Sequence, residues 1–285
     1  MVSLFEGILV AVIWASSFVF IKLGLAYMGP LTLAGLRYSI AALVLLPWLI
    51  KNRSEIRMLP GSMWLRLALL GLCAYTIANG AFNWGLRYLS ATMMSFLMSF
   101  NPLLVFLVAL VWLQEYPTRR QAIGLVIALL GSGLFFWSSL KPEATAGLGM
   151  ALIGLVAFSV FGVLGREVAR QRQLNTFILT ALPLAIGGAC LLGPALPIEG
   201  MPRMTPIAWG LVLWLAVVNT ALAYVLYNHA LRELTALEMN ILLNINPLIT
   251  AVWAWPLLGE KLSLVEGVGM LVAVAGVALV QQKRR

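Results

Sequence analysis

The amino-acid sequence predicts an all-α integral membrane protein: ten transmembrane helices, built as two inverted five-helix repeats around a central cavity. Three observations predict it. The first is composition: 62% of the 285 residues are apolar and 10% are charged, where soluble domains carry about 25% charge. Surface-to-volume scaling leaves a water-soluble chain no way to hide that much apolar surface. The second is length. About 20 apolar residues, rising about 1.5 Å each, cross a hydrocarbon core of roughly 30 Å. Ten runs qualify, at 4–23, 31–50, 64–86, 91–113, 121–138, 148–168, 176–196, 207–230, 236–258 and 265–281. The third is a self-match at a spacing of 145 residues (209 minus 64), gapless from Trp64 to Gly131. Trp64 pairs with Trp209, Asn83 with Asn228, Ala91 with Ala236, Asn101-Pro102-Leu103 with Asn246-Pro247-Leu248, and Glu115 with Glu260. A self-match this long means two copies of one structural unit. Five helices per copy is an odd number, so the second copy must enter the bilayer from the opposite side. Repeat 1 covers 4–138, repeat 2 covers 148–281, and 139–147 is the loop between them.

Each span has its own signature. Span 1 lacks a basic leader, and its apolar run continues for about 20 residues, so it reads as a helix and not as a cleaved signal. It carries Trp14, Ser16, Ser17 and Phe18 at mid-depth, which either line a cavity or pack. Lys22 near its end is placed to snorkel to the interface. Span 2 follows Gly29-Pro30 and carries Arg37 about two turns in, a candidate to hold a carboxylate or a helix C-terminus. Burying such a charge costs about 2.5–3.5 kcal/mol on insertion scales. Span 3 places Tyr75, Asn79 and Asn83 four residues apart, on one face. Span 4 carries Ser95, Ser99 and Asn101-Pro102. Span 5 carries Gly124, Ala128, Gly131 and Gly133, small residues suited to close helix packing within or between protomers. Span 6 carries Phe158, Ser159 and Phe161, and span 7 is almost wholly apolar. Span 8 carries Thr220, Tyr224 and Asn228 at positions equivalent to those of span 3, followed by the single histidine, His229. Span 9 carries Asn240, Asn244 and Asn246-Pro247, matching span 4. Span 10 repeats the small residues as Gly269, Ala273 and Gly276.

Four spans thus present polar stripes in two equivalent pairs. Interhelical hydrogen bonding explains any single asparagine, at about 0.6 kcal/mol per bond. For the whole set, a substrate cavity shared by spans 3, 4, 8 and 9 is the better explanation. Pro102 and Pro247 each remove a backbone donor near mid-membrane and are expected to kink their helices. Matching interrupted helices are the best sequence pointer to a transporter binding site.

The net charge of +9 is explained by orientation, so no nucleic-acid partner is expected. With the N-terminus inside, the cytoplasmic face receives Lys51, Arg53, Arg57, Arg66, Arg119, Arg120, Arg166, Arg170, Arg172, Arg232, Lys283, Arg284 and Arg285. The opposite face receives Arg87, Lys141, Arg203 and Lys261. This is a clear positive-inside bias. The chain has no aspartate, and its ten glutamates all fall in loops or near helix ends. No metal-ligand cluster, P-loop or activated nucleophile is evident. Cys73 and Cys190 lie in apolar runs and read as packing residues. No cofactor, metal site or catalytic residue is expected.

Several segments together carry a family resemblance. They are Ile13-Trp14-Ala15-Ser16-Ser17-Phe18 with Ile21-Lys22, Leu36-Arg37-Tyr38, Ala91 through Pro102-Leu103, Glu115 to Gly124 and Gly131, and Leu258-Gly259-Glu260-Lys261-Leu262 to Gly269 and Gly276. The chain resembles the EamA-type branch of the drug/metabolite transporter superfamily over nearly its whole length. The resemblance implies two inverted repeats with both termini in the cytoplasm. It also implies a cavity lined by helices 1, 3, 4, 6, 8 and 9, and export of amino acids and related metabolites from bacteria. The first copy departs from the family pattern, with Leu113-Gln114-Glu115-Tyr116 where Gly-Glu-Lys/Arg is usual.

The expected protein is therefore an inner-membrane secondary transporter, a monomer or weak homodimer in the lipid bilayer. It exports small metabolites, amino acids foremost, with aromatic or bulky apolar side chains favoured. Its expected substrate-binding residues are Trp14, Ser17, Phe18, Arg37, Tyr75, Asn79, Asn83, Ser95, Ser99, Asn101, Ser159, Tyr224, Asn228, Asn240, Asn244 and Asn246, with Pro102 and Pro247 as hinges. The alternatives are multidrug or organic-cation efflux and, in another class, a non-transporting scaffold subunit.

Overall fold

A computed structural model of the protein describes residues 2–104, 118–139, 144–170, 174–230, 234, 239 and 242–281. Among the described residues the regular structure is all helical. Apart from a short helix at Arg53–Arg57, the helices are α1 (Val2–Gly24), α2 (Pro30–Lys51), α3 (Gly61–Gly85), α4 (Ala91–Leu104), α5 (Arg119–Ser139), α6 (Ala144–Arg170), α7 (Thr176–Glu199), α8 (206–230), α9 (Asn246–Leu258) and α10 (Leu264–Gln281). Seven of them, α1, α2, α3, α5, α6, α7 and α8, are long and apolar enough to cross a membrane; α4 and α10 are shorter apolar helices. The second half of predicted span 4 and the first part of span 9 lie largely outside the described residues. Two boundaries move. Residues 144–147, expected in the inter-repeat loop, begin α6. Helix α7 runs past its predicted end to Glu199 and stops at Gly200, whose φ of 77° suits a residue without a Cβ.

Helices with equivalent positions in the two copies pack together. Helix α2 lies against α7, α4 against α9, and α5 against α10; α1 packs on α8, while its counterpart α6 packs on α3. The α5–α10 seam is the tightest. A Cβ on Gly131 would sit 2.3 Å from the Ala273 nitrogen, and one on Gly276 would sit 2.4 Å from the Ala128 nitrogen. The small-residue stripes are therefore consumed inside the chain, which settles their partner. Gly133 is not part of the seam, for nothing lies within 4 Å of its side-chain position.

Two irregularities repeat at the 145-residue spacing. The first is a π-helical segment, Leu72–Ala78 in α3 and Val217–Leu222 in α8. In each a side chain reaches back to a carbonyl five residues earlier. Asn79 donates to the Ala74 carbonyl at 2.7 Å, and Thr220 to the Leu215 carbonyl at 2.9 Å. The second is a broken helix. Helical structure stops at a turn over Ser99-Phe100 and resumes at Asn101; it stops again over Asn244-Ile245 and resumes at Asn246. Pro102 and Pro247 therefore sit in the first turn of a new helical segment, where a missing N–H costs nothing, and not at a bend within a continuous helix.

Candidate functional site

The two breaks, and residues that follow the π segments such as Asn79 and Tyr224, border a cavity of about 140 Å³. Its walls come from α1, α2, α3, α4, α6 and α8, together with residues 243–246 at the start of α9. Helix α2 contributes through Arg37, which the resemblance did not place among the lining helices. Of the expected site residues, Trp14, Ser17, Phe18, Arg37, Asn79, Asn83, Ser95, Ser99, Asn101, Pro102, Tyr224, Asn244 and Asn246 are on the wall.

Three expected residues stand behind it. Tyr75 is 2% exposed and packs its ring on Tyr38 at 5.1 Å and on Tyr224 at 5.9 Å. Its four-residue spacing from Asn79 fails as a face argument because the π segment takes more than four residues per turn. Ser159 Oγ lies 2.8 Å from the Leu155 carbonyl and 2.9 Å from Asn101 Oδ1, so it touches a wall residue without being one. Pro247 is buried within α9. Asn240 and the Asn228 side chain lie outside the described residues.

The wall is mixed in character. Trp14 meets Tyr224 edge-on at 5.3 Å and Tyr227 at 5.2 Å, and Phe158 meets Phe82 at 6.4 Å. Such aromatic surfaces suit an apolar group. The polar part is held by bonds between helices. The Asn246 amide, with its nitrogen turned toward them, donates to the Ala11 and Leu243 carbonyls at 3.1 Å each. Thr250 Oγ1 donates to the Ala15 carbonyl and accepts from the Ser95 hydroxyl, both at 3.0 Å. Asn83 donates to the Pro30 carbonyl at 3.4 Å. Arg37 is 5% exposed. Its Nε donates to Thr220 Oγ1 at 2.7 Å, Nη1 to Ser17 Oγ at 3.0 Å, and Nη2 to the Asn219 carbonyl at 3.2 Å.

Sequence reasoning missed Ile21, Tyr38, Phe82, Leu86, Met98 and Leu243 on the wall, and left Phe158 open. Helical spacing from the polar anchors was the available signal: Ile21 is four residues from Ser17, Phe82 three from Asn79, and Met98 three from Ser95.

One end of the cavity is tied by carboxylates. Glu260 accepts from the backbone N–H groups of Ala91 and Thr92 at 2.8 and 3.1 Å and from Thr92 Oγ1 at 3.0 Å. Ser90 accepts from Met93 N, so the first turn of α4 is fully satisfied. Glu199 treats α2 alike, accepting from Leu31 N, Thr32 N and Thr32 Oγ1 at 2.8 Å each. Gly29 is what lets it approach, since a Cβ there would fall 2.1 Å from the carboxylate. Lys22 Nζ donates to the Leu89 carbonyl beside the Glu260 cap of α4.

At the opposite ends of α1 and α8, His229 Nδ1 lies 2.8 Å from Glu6. The histidine is 55% exposed, so this pair is a surface contact worth at most about 1 kcal/mol. His229→Gln is expected to leave thermal unfolding in detergent nearly unchanged. A large fall in the transition would show that the pair anchors the two helices.

A helical membrane bundle with matched broken helices around a partly polar cavity is the architecture of a multi-pass membrane transporter. The chain belongs to the EamA-like transporter family, whose profile matches twice, over residues 2–137 and 145–281. It is 28% identical to an uncharacterized transporter of Archaeoglobus fulgidus, across 97% of this chain and 96% of that one. It is 25% identical to a probable terminal-alkyne amino-acid exporter of Streptantibioticus cattleyicolor, across 97% and 92%. It is also 25% identical to an S-adenosylmethionine/S-adenosylhomocysteine transporter of Chlamydia muridarum, across 92% and 86%. A solved crystal structure shares its fold with a TM-score of 0.70 at 16% identity, covering 98% of this chain and 97% of that one.

Proposed function

We propose that the protein is a secondary transporter that exports small metabolites, amino acids foremost, across the bacterial inner membrane. The carrying observation is the composition of the cavity wall: aromatic rings, amides and hydroxyls around the Arg37 guanidinium, with no acidic side chain among the described lining residues. Rings suit an apolar side chain, while amides and hydroxyls suit a zwitterion's amino and carboxyl groups. The relatives' named substrates point the same way: S-adenosylmethionine, S-adenosylhomocysteine and an alkyne amino acid all bear an amino-acid end.

The pairing of equivalent helices, α2 with α7, α4 with α9 and α5 with α10, supports two inverted repeats related by an axis through the bundle. On this reading both termini are cytoplasmic and ten helices span the bilayer. One repeat rocks against the other, and the breaks before Pro102 and Pro247 absorb the change. Efflux of organic cations that carry no carboxylate is disfavoured, since such a cation would meet a wall that carries Arg37 and, among the described lining residues, no acidic side chain to receive it.

Counterflow of the twenty amino acids in proteoliposomes tests the proposal. Asn79→Ala and Tyr224→Ala each remove one hydrogen bond or ring contact, about 1–1.5 kcal/mol. About a tenfold fall in uptake of the favoured amino acid is expected from each. Wild-type rates in both variants would show that the cavity is not the transport site.

A further inference from the structure

We infer that Arg37 is the carboxylate receptor of this cavity, so that cargo is selected by an anionic group before its side chain is read. The inference rests on the transport reading of the cavity and adds to it a specific binding atom set and a charge requirement.

A guanidinium has five N–H donors and cannot be neutralised by losing a proton in a protein. Three of the five are used, one from each nitrogen, and every acceptor is neutral: the Thr220 hydroxyl, the Ser17 hydroxyl and the Asn219 carbonyl. No carboxylate pairs with it among the described residues, and none lines the cavity there. Buried charges are normally paired, and an ionisable group inside a membrane bundle marks a functional site whose partner must be named. Two basic groups near helix ends do have a carboxylate beside them. Lys22 lies in the field of Glu260, and His229 contacts Glu6. Among the described residues, Arg37 on the wall of the cavity has no carboxylate matched to its charge.

What remains on Arg37 fits one ligand chemistry. Among the described residues one N–H on each terminal nitrogen is left over, the number that a bidentate carboxylate takes. The face of the guanidinium is supported by the Tyr38 ring, 5.3 Å from the guanidinium carbon. Its existing bonds fix it against α1 through Ser17 and against the π segment of α8 through Thr220 and Asn219. The fork is therefore held in place before cargo arrives, which lowers the ordering cost of binding. The bonds to Thr220 and Asn219 join the first repeat to the second, so an anion at Arg37 sits on the contact that rocking of the repeats must alter.

Purified wild-type protein is offered phenylalanine and methionine, each against its amide and its decarboxylated amine, in binding and in counterflow. The acids are expected to be preferred by about thirtyfold, the size of one charged hydrogen-bonded pair. In Arg37→Gln that preference is expected to collapse to about threefold or less, with Arg37→Lys in between because an ammonium offers no planar fork. Acid and amide handled alike by wild type, or a preference that survives in Arg37→Gln, overturns the inference while leaving amino-acid transport standing. If neither amino acid is bound or moved, the transport reading falls and takes the inference with it. Should Arg37→Gln fail to fold, the wild-type ratio of acid to amide decides alone.

Discussion

Gly131→Ala and Gly276→Ala are each expected to destabilise the protein severely, more than any single substitution on the cavity wall. The added methyl group has nowhere to go. At position 131 it would meet the Ala273 nitrogen at 2.3 Å and the Gly269 carbonyl oxygen at 2.7 Å; at 276 it would meet the Ala128 nitrogen at 2.4 Å and the Gly124 carbonyl oxygen at 2.7 Å. These are backbone atoms, so relief requires moving a whole helix. Overpacking typically costs about 1–3 kcal/mol and occasionally more, and contacts with rigid backbone belong at the upper end. The loss also falls where little replaces it. In a bilayer, helices gain no hydrophobic energy by associating, so close packing is what joins α5 to α10. Thermal unfolding in detergent and the fraction of monodisperse protein measure the effect. Gly133→Ala is the control. It points into open space, and alanine is about 1 kcal/mol better than glycine in a helix, so its transition should not fall. Equal transitions for Gly131→Ala and wild type would mean that α5 and α10 are not packed in this way.

The sequence revealed this seam in part, and the reason is physical. Glycines repeated on two apolar helices stand out, but a stripe does not name its partner. The duplication and most of the polar wall were legible for a similar reason. Asn79, Asn83, Asn101, Asn244 and Asn246 are conspicuous among apolar neighbours, and lipid gives them nothing to bond. Ile21, Leu86 and Leu243 have no such contrast and passed unnoticed. The π segments had no signature at all, since Leu72–Ala78 reads as ordinary helix. They misplaced Tyr75, because side-chain direction was projected through a turn of the wrong pitch. The glutamates show another limit. Glu199 ends a helix and Glu260 lies in a loop, as the sequence reads them, but nothing local in the sequence names what they bind. Their binding to the N-termini of α2 and α4 depends on contacts 167 to 169 positions away in the chain.

Those two glutamates carry the other large expected effect. Glu260→Gln and Glu199→Gln should each loosen one end of the cavity, and together they should open it. Each carboxylate accepts two backbone N–H groups and a threonine hydroxyl at a helix start. There the unpaired donors and the helix dipole both favour negative charge. An amide keeps one acceptor oxygen, turns the other atom into a donor facing donors, and carries no charge. A loss of about 1.5–3 kcal/mol per site follows from the usual worth of charged hydrogen bonds. Both links run from the second repeat to the first, and both lie on the side where Lys22 meets Leu89. The cavity reaches toward that side, for Ile21 and Leu86 on its wall are neighbours of these residues in sequence. Breaking the links should therefore favour a state open there. A Leu86→Cys probe, in a background with Cys73 and Cys190 replaced, reads this directly. Its modification by a membrane-impermeant thiol reagent should quicken about tenfold or more with either glutamine, the ratio that about 1.4 kcal/mol confers. The double variant should react faster still, as expected for distant and independent sites. An unchanged rate in the double variant would show that the caps only finish their helices. A quickened one would make the starts of α2 and α4 the points where the second repeat holds the first shut.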